Sequence, residues 1–342
     1  MIVGWLRIDE REYMMKTGWK RQAVSWIQTF IFPVVLWIVM DLIVMSKGGN
    51  NIFATMTSVQ DIFQSSVLQG LVAIAVALPL SGGRWDFAPG AIMVLTGIIA
   101  GNLAIRYQWG IGMLVLMSIL IAVLLALFEG MAYIVFRVPT MIVSLGIVML
   151  YEAVSGLIFD GAGVRLFMYE ELAVLARQPY CYIVLVIVLA AFWALMKYTK
   201  FGFDTRSLGN NALLAVNNGV NEKKTIMLTY LVVGILLGIA SLINASKAVV
   251  APASNLSSAT LMFSSMGAVL VGLYLSRFSN MALGILAGTL SMSIFSKGLT
   301  VYGLPGSLNN IILGIFIVVF MGITTNMEYL KRKLRRNKMQ EA

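Results

Sequence analysis

Apolar runs separated by short polar stretches occupy most of the chain from residue 24 to residue 325. An apolar run of about 17 to 25 residues is long enough to cross a bilayer as a helix. Ten such runs predict an all-α fold, a polytopic membrane bundle of about ten transmembrane helices, of which the eighth is short. The predicted helices lie near Val24–Met45, Phe63–Leu80, Ala88–Ile105, Ile111–Phe136, Pro139–Phe159, Tyr180–Tyr198, Ile226–Asn244, Leu261–Leu275, Asn280–Ser296 and Leu308–Thr325.

The composition agrees with a membrane protein and excludes several kinds of enzyme. Of the 342 residues, 59% are hydrophobic and 12% are charged, and the mean hydropathy is +0.88. This composition is far more apolar than that of soluble globular proteins. The absence of histidine excludes histidine-based catalysis and histidine metal ligands. The single cysteine, Cys181, is interpreted as an apolar filler. No Gly-x4-Gly-Lys-Ser/Thr string occurs, so the chain is not expected to hydrolyse nucleotide. We expect no enzyme activity, no cofactor and no metal.

Lysine and arginine concentrate in four polar segments. These precede the first run, separate the fourth from the fifth and the sixth from the seventh, and follow the tenth. With an even number of helices all four lie on one side, which the positive-inside rule makes the cytoplasm. The net charge of +10 is therefore attributed to membrane orientation and not to nucleic-acid binding. We predict a cytoplasmic segment at 1–23, a transmembrane domain at 24–325 and a basic cytoplasmic tail at 326–342.

Ten helices can form two sets of five, and an odd number per set would invert the second set relative to the first. The third predicted helix contains Gly90, Gly97 and Gly101, and the ninth contains a similar pair of glycines, Gly284 and Gly288. Small residues at this spacing also indicate close helix packing in lipid. An inverted five-plus-five repeat is therefore a hypothesis beside simple close packing.

The longest polar interruption is Lys200–Lys224, called the central loop below. Two asparagines, Asn210 and Asn211, can cap a short apolar helix, and the sequence Asn-Asn-Gly that ends at Gly219 can terminate it. Exposed leucines on such a helix would contact either a partner protein or lipid headgroups, and both interpretations stay open. The residues assigned to this element are Gly209, Asn211, Ala212, Leu213, Leu214, Ala215, Val216 and Gly219.

The stretch from Ser81 to Gly90 interrupts the apolar pattern with two glycines, the charged residues Arg84 and Asp86, and a proline. Open backbone near membrane depth is tolerated only where protein or a wet cavity satisfies its polar groups. Asp86 and Gly90 are therefore candidates for the lining of a translocation pathway. The alternative is a tight turn at the membrane face with both charges in water.

Besides Asp41 near the outer end of the first predicted helix, two acidic residues fall inside predicted helices, Glu129 in the fourth and Glu152 in the fifth. A charge in lipid is costly, so such residues normally face the bundle interior or water. They are candidates for binding a polar solute or carrying protons. For Glu129 the alternative is hydration near Arg137 and the interface, or simple protonation.

A polar stretch at Ala251–Ser258 precedes the short eighth helix. This pattern suggests a broken or re-entrant helix. An ordinary extracellular loop explains it equally well.

Four strings in order resemble the permease family of bacterial ribose-type ABC importers. They are GGRWDFAPGAIMVLTG, VPTMIVSLGIVMLYEAVSGLI, TKFGFDTRSLGNNALLAVNNGVNEKKTIMLTYLVVGILLGIASLINASK and the glycine-rich stretch from Gly267 to Gly314. The resemblance places Asp86 and Gly90 at the aspartate and the last glycine of a family motif. In the central loop, Gly209, Asn211, Ala215, Gly219 and Asn221 match the element that contacts the ATPase in the family.

The resemblance implies a multi-pass subunit in the bacterial cytoplasmic (inner) membrane that imports a small carbohydrate, a ribose-like monosaccharide or a polyol. Its implied partners are ABC ATPase subunits, a second permease subunit, an extracellular solute-binding protein and membrane lipid, with no nucleic acid. A nucleoside is the alternative cargo. The alternative mechanism is an ion-coupled secondary transporter that uses Glu129 and Glu152.

The chain departs from the family pattern at several positions. Arg84 and Trp85 replace a small-residue pair, Glu129 stands in place of asparagine, and Glu152 stands in place of arginine. Ala212 and Val216 replace an acidic residue and an arginine. Such changes suggest one half of a heterodimer of unlike permeases, although a homodimer stays open.

Overall fold

The computed structural model describes residues 19–46, 55–136 and 138–326. The predicted segments 1–23 and 326–342, and Arg137, therefore lie largely or wholly outside the described residues. Within the described ranges the chain forms twelve α-helices, numbered here in chain order. They are α1 (Trp19–Ser46), α2 (Met56–Ser81), α3 (Pro89–Tyr107), α4 (Ile111–Phe136), α5 (Thr140–Leu157), α6 (Tyr180–Tyr198), α7 (Lys200–Asn210), α8 (Ala212–Asn217), α9 (Glu222–Ala245), α10 (Ala259–Leu275), α11 (Met281–Val301) and α12 (Gly306–Thr325).

Each of the ten predicted membrane helices coincides with a helix of the structure. Eight helices among the described residues are long and apolar enough to cross a membrane, and the runs Ala259–Leu275 and Leu308–Thr324 are shorter apolar helices. The predicted class, a polytopic helical membrane bundle with a short eighth span, is confirmed. The boundaries differ by a few residues because polar residues such as Glu222 extend the helices beyond their apolar cores.

The helices divide into two compact units. The first unit contains Gln64–Met266, and the second contains Gln22–Phe63 with the chain from Gly267 on. The dividing points fall inside α2 and α10 and do not separate two consecutive sets of five spans. The inverted repeat is not tested by this division and stays a prediction.

In the first unit, α9 packs closely on α4 through small residues. A Cβ atom on Gly234 would lie 2.5 Å from the Val123 Cα atom, and one on Gly238 would lie 2.7 Å from the Ile119 Cα atom. At this contact the Ser118 hydroxyl donates to the Gly238 carbonyl oxygen at 2.8 Å. Glycine at these positions permits the close approach of the two helices.

The connection between α5 and α6 contains three short 3-10 turns, at Ile158–Gly161, Leu166–Met168 and Val174–Ala176. Val164 pairs with Val250 in an antiparallel bridge, with N–H to O distances of 2.8 and 3.0 Å. The bridge ties this connection to the segment that follows α9. Both segments lie at the end of the first unit that the charge pattern predicts to be extracellular.

In the second unit, α10 and α11 cross at glycines. A Cβ atom on Gly284 would lie 2.5 Å from the Gly272 carbonyl oxygen. Near the other end of α11, Lys297 Nζ donates to Asp61 Oδ2 at 2.7 Å, which joins α11 to the start of α2. The Gly284 contact confirms the predicted close packing at this residue.

Candidate functional site

The central loop folds into two helices, α7 and α8, of which the sequence predicts only α8. The Asn211 side chain caps α8 by accepting the backbone N–H of Leu214 at 3.1 Å. Beyond α8 the N–H of Val220 donates to the Ala215 carbonyl oxygen at 3.1 Å, and Gly219 adopts a φ of +86° that favours glycine. The predicted short helix, its cap and its terminating glycine are confirmed.

The apolar face of α8 has little cover from the described chain. Leu213 is 73% exposed, Leu214 is 57% exposed and Val216 is 44% exposed. Ala215, on the opposite face, is buried. Three large apolar side chains on a six-residue helix form an exposed patch that suits contact with another molecule.

The end of α7 packs directly against the end of α2. A Cβ atom on Gly209 would overlap the Ser81 carbonyl oxygen, and the site of a Cβ atom on Gly83 is 3.5 Å from the Gly209 Cα atom. Gly83 has a φ of +79°, a conformation that glycine adopts readily. The central loop is thus in backbone contact with the stretch from Ser81 to Gly90.

Arg84 lies just beyond this contact and is buried, with 4% of its surface exposed. Its Nη2 atom lies 3.8 Å from Glu222 Oε1 at the start of α9, and its guanidinium carbon lies 5.8 Å from the centre of the Tyr133 ring. Its Nη1 atom is buried without an acceptor among the described residues. The alternative in which Arg84 sits in water at the membrane face is wrong.

Asp86 and Glu129 form a buried carboxyl pair next to Arg84. Their exposed fractions are 3% and 1%, and the two side chains are close neighbours. Asp86 Oδ1 accepts the N–H of Ala88 at 2.8 Å, whereas Asp86 Oδ2 and both oxygens of Glu129 receive no donor from the described residues. Hydration of Glu129 at the interface is excluded by its burial.

Two tyrosines lie near this carboxyl pair, Tyr151 on α5 and Tyr230 on α9. The Tyr151 hydroxyl donates to the Leu125 carbonyl oxygen at 2.7 Å, near the middle of α4. The Tyr230 ring packs against Gly130, where a Cβ atom would lie 2.7 Å from Tyr230 Cδ2. The carboxyl pair is thus enclosed by side chains of α4, α5 and α9.

Glu152 has quite different surroundings. Its Oε1 atom accepts the N–H and the hydroxyl of Ser258 at 2.8 and 2.6 Å, and its Oε2 atom accepts the N–H of Leu256 at 2.8 Å. The neighbouring Ser155 hydroxyl accepts the N–H of Ala253 at 3.2 Å. Glu152 therefore binds the backbone of the segment Ala251–Ser258, and both of its oxygens are occupied.

Gly90, on α3, contacts the segment Ala251–Ser258 at Ser258. A Cβ atom on Gly90 would overlap the Ser258 carbonyl oxygen. Ser258 is buried, whereas Asn255, Leu256 and Ser257 are exposed. Both interpretations of Ala251–Ser258, a re-entrant helix and an ordinary extracellular loop, therefore stay open.

The three stretches singled out from the sequence thus form two adjoining clusters. One contains Asp86 and Glu129, and the other contains Gly90, Glu152 and Ser258. The residues assigned to α8 lie outside both clusters, and Gly209 at the end of α7 contacts the stretch that carries Arg84 and Asp86.

Residues 58–321 match the family described as the permease component of the branched-chain amino acid transport system. The chain belongs to this permease family. It is 26% identical to the autoinducer 2 import system permease protein of Klebsiella pneumoniae over 94% of this chain and 91% of that protein. It is also 26% identical to the galactofuranose transporter permease protein of Escherichia coli, over 75% and 76% of the two chains. The fructose import permease protein of Rhizobium meliloti is 26% identical over 80% and 79%.

No solved structure matches this permease. Family membership and the eight candidate spans establish a multi-pass membrane permease, which confirms the expected transporter subunit in place of an enzyme. Among the described residues no group of three or more histidine, cysteine, aspartate or glutamate side chains is arranged to hold a metal ion.

Sequence reasoning missed several residues of the permease that complete these clusters. Ser258 donates to Glu152 and Ser155 accepts the N–H of Ala253. Glu222 pairs with Arg84, and Tyr230 lies beside the carboxyl pair. The polar stretch Ala251–Ser258 was a signal for Ser258. Tyr230 gave no signal, because a tyrosine in an apolar helix has no distinctive spacing.

Proposed function

We propose that this permease is the transmembrane subunit of an ATP-driven ABC importer and forms the translocation pathway for a small carbohydrate. The solute is a ribose-like monosaccharide or a polyol, delivered by an extracellular binding protein. Three relatives support a sugar or sugar-like cargo, since their names include galactofuranose, fructose and xylose/arabinose. The cytoplasmic (inner) membrane of a bacterium is the proposed location.

The exposed apolar face of α8 carries this proposal. An apolar patch of this kind gains stability when a partner removes it from water, and leucine side chains are suited to a groove in that partner. We propose that ATPase subunits cover Leu213, Leu214 and Val216 on the cytoplasmic side. The residues that shape this element are Gly209, Asn211, Ala212, Ala215 and Gly219.

A short contact path supports transmission of movement from α8 into the bundle. The end of α7 is in backbone contact with Ser81 and Gly83, and Arg84 pairs with Glu222 at the start of α9. A push on α8 that shifts Gly209 would displace the stretch that carries Arg84 and Asp86. We propose that closure of the ATPase dimer acts on the pathway through this contact.

The proposed pathway includes Asp86, Gly90, Glu129 and Glu152. The carboxyl oxygens of Asp86 and Glu129 that have no donor in the described chain are suited to accept hydrogen bonds from solute hydroxyl groups. Glu152 contributes by holding the segment beside Gly90. These separate roles favour the importer over the ion-coupled alternative, because both Glu152 oxygens already accept hydrogen bonds from the segment that Glu152 holds.

The second permease subunit is proposed to be an unlike chain. The unusual charged residues Arg84, Glu129 and Glu152 support this proposal because they indicate a chain that has diverged from the family pattern, as one half of a heterodimer can. Purification of the permease with its ATPase tests the point. A functional homodimer would contradict the heterodimer.

The experiment that tests the docking role replaces Leu213 and Leu214 with aspartate. Two carboxylates on the exposed face cannot enter an apolar groove without a large desolvation cost. We expect at least a tenfold loss of ATPase co-purification and of solute uptake, with an unchanged amount of folded permease in the membrane. Affinity pull-down and size-exclusion chromatography give the measurement.

The matched control replaces the same two leucines with methionine, which keeps the surface apolar and should retain the ATPase. If the aspartate variant bound the ATPase as well as the methionine variant, the docking assignment would be wrong. Loss of membrane association of α8 with retained ATPase binding would instead support the lipid-interface interpretation.

A further inference from the structure

The segment that Glu152 holds contains two consecutive residues in the left-handed region. Asn255 has a φ of +54° and Leu256 has a φ of +62°. Asparagine tolerates this conformation, but for leucine it is unfavourable because its Cβ atom crowds the following carbonyl oxygen. The segment therefore needs outside contacts to keep this backbone in place.

Those contacts converge on Glu152. Its carboxylate accepts three hydrogen bonds, two from backbone N–H groups at Leu256 and Ser258 and one from the Ser258 hydroxyl. Ser258 immediately precedes α10, whose N-terminal dipole favours a nearby anion. Three donors and a helix N-terminus stabilise the buried Glu152 carboxylate.

We propose that Glu152 is a positioning residue that latches the strained and largely exposed segment Asn255–Ser258 against the bundle, and that the latch opens during transport. The proposal rests on the permease function for its role in transport, whereas the latch itself is a property of the isolated chain. Strain at Leu256 favours release, and the hydrogen bonds to Glu152 oppose it. The two contributions therefore have opposite signs, and substitutions at Leu256 and Glu152 should change the release of the segment in opposite directions.

Thiol labelling of the purified permease in lipid nanodiscs measures opening of the latch. Ala259 follows the latch and is buried, so an Ala259→Cys variant reports its release. The native Cys181 is fully buried and is the sequence's single cysteine, which keeps the background low. The measured quantity is the rate of reaction with N-ethylmaleimide.

In this reporter chain we expect Glu152→Gln to raise the labelling rate at least tenfold. The glutamine oxygen can replace one of the two carboxylate oxygens as an acceptor. The glutamine NH2 group would stand in place of the other oxygen and repel the donor that faces it. Leu256→Gly removes the strain and is expected to lower the labelling rate of the parent and to reverse most of the increase in the Glu152→Gln background. Glu171→Gln, on the exposed connection before α6, is the matched control and should leave the rate unchanged.

Equal labelling rates for Glu152→Gln and the parent would overturn the latch. It would also be overturned if Leu256→Gly accelerated labelling, because that result indicates general loosening. If the Glu152→Gln variant fails to insert into the membrane, Ser258→Ala is the second test. It removes one of the three hydrogen bonds and should raise the labelling rate by a smaller factor. An unchanged labelling rate for Ser258→Ala would contradict the proposal. Since labelling needs no ATPase and no solute, a failed latch and a failed importer assignment are distinguishable.

Discussion

Two glycines on α3 have very different surroundings. A Cβ atom on Gly90 would overlap the backbone carbonyl of Ser258, whereas the nearest atoms to a Cβ atom on Gly97 lie 3.8 Å away, at ordinary contact distance. Backbone atoms cannot rotate away as a flexible side chain can. The residue at position 90 therefore controls how closely α3 and the latched segment approach each other.

A Gly90→Ala substitution should displace the segment at Ser258 and reduce solute uptake at least fivefold. Overpacking of this kind typically costs about 1 to 3 kcal/mol. The control on the same helix is Gly97→Ala, which should leave uptake within about twofold of the parent because its Cβ atom has room and alanine favours the helix by about 1 kcal/mol. Uptake measured for both variants in the same cells provides the comparison, and equal uptake would contradict the close approach at Gly90.

At the scale of whole helices, the contact between α4 and α9 depends on small residues. Gly234 and Gly238 allow the backbones to approach, and Ser118 and Ser241 hydroxyl groups form a 2.9 Å hydrogen bond across the contact. In lipid the helices gain no hydrophobic drive to associate, so close packing and such hydrogen bonds stabilise the pair.

Gly234→Ala is expected to destabilise the permease by about 1 to 3 kcal/mol because its Cβ atom would lie 2.5 Å from the Val123 Cα atom. Gly112→Ala on α4 is the control, since nothing lies within 4 Å of its Cβ position. Thermal unfolding in detergent can be followed through exposure of the buried Cys181 thiol. An unfolding temperature for Gly234→Ala equal to that of the control would contradict the packing.

Local patterns in the sequence were sufficient to predict the helices. Apolar run length gave all ten membrane helices, and the spacing of Asn211 and Gly219 gave the ends of α8. These features depend on residues that are neighbours in the chain. Capping and helix termination need no long-range contact, which is why the prediction succeeded.

Contacts between distant parts of the chain could not be predicted in this way. Arg84 and Asp86 are buried because Gly209, more than a hundred residues further on, packs against the end of α2. Glu152 was a candidate solute or proton site, and only the folded chain shows that its oxygens bind the backbone near Ser258. A sequence pattern identifies a costly charge in a membrane helix but not the donors that stabilise it.

For the whole molecule, the central claim is that ATP hydrolysis by partner subunits drives a sugar through this permease. The exposed face of α8 and the backbone contact at Gly209 are the proposed route by which movement enters the bundle. Neither the carboxyl pair nor Glu152 offers a complete proton path of its own in the described residues. The energy source is therefore expected to lie in the partner subunits.

Uptake of radiolabelled pentoses and polyols into proteoliposomes that contain the purified importer complex tests this claim most directly. The account predicts uptake only when ATP, the ATPase subunits and the binding protein are all present, with no effect of a proton or sodium gradient. Uptake driven by an ion gradient in the absence of ATP would contradict it.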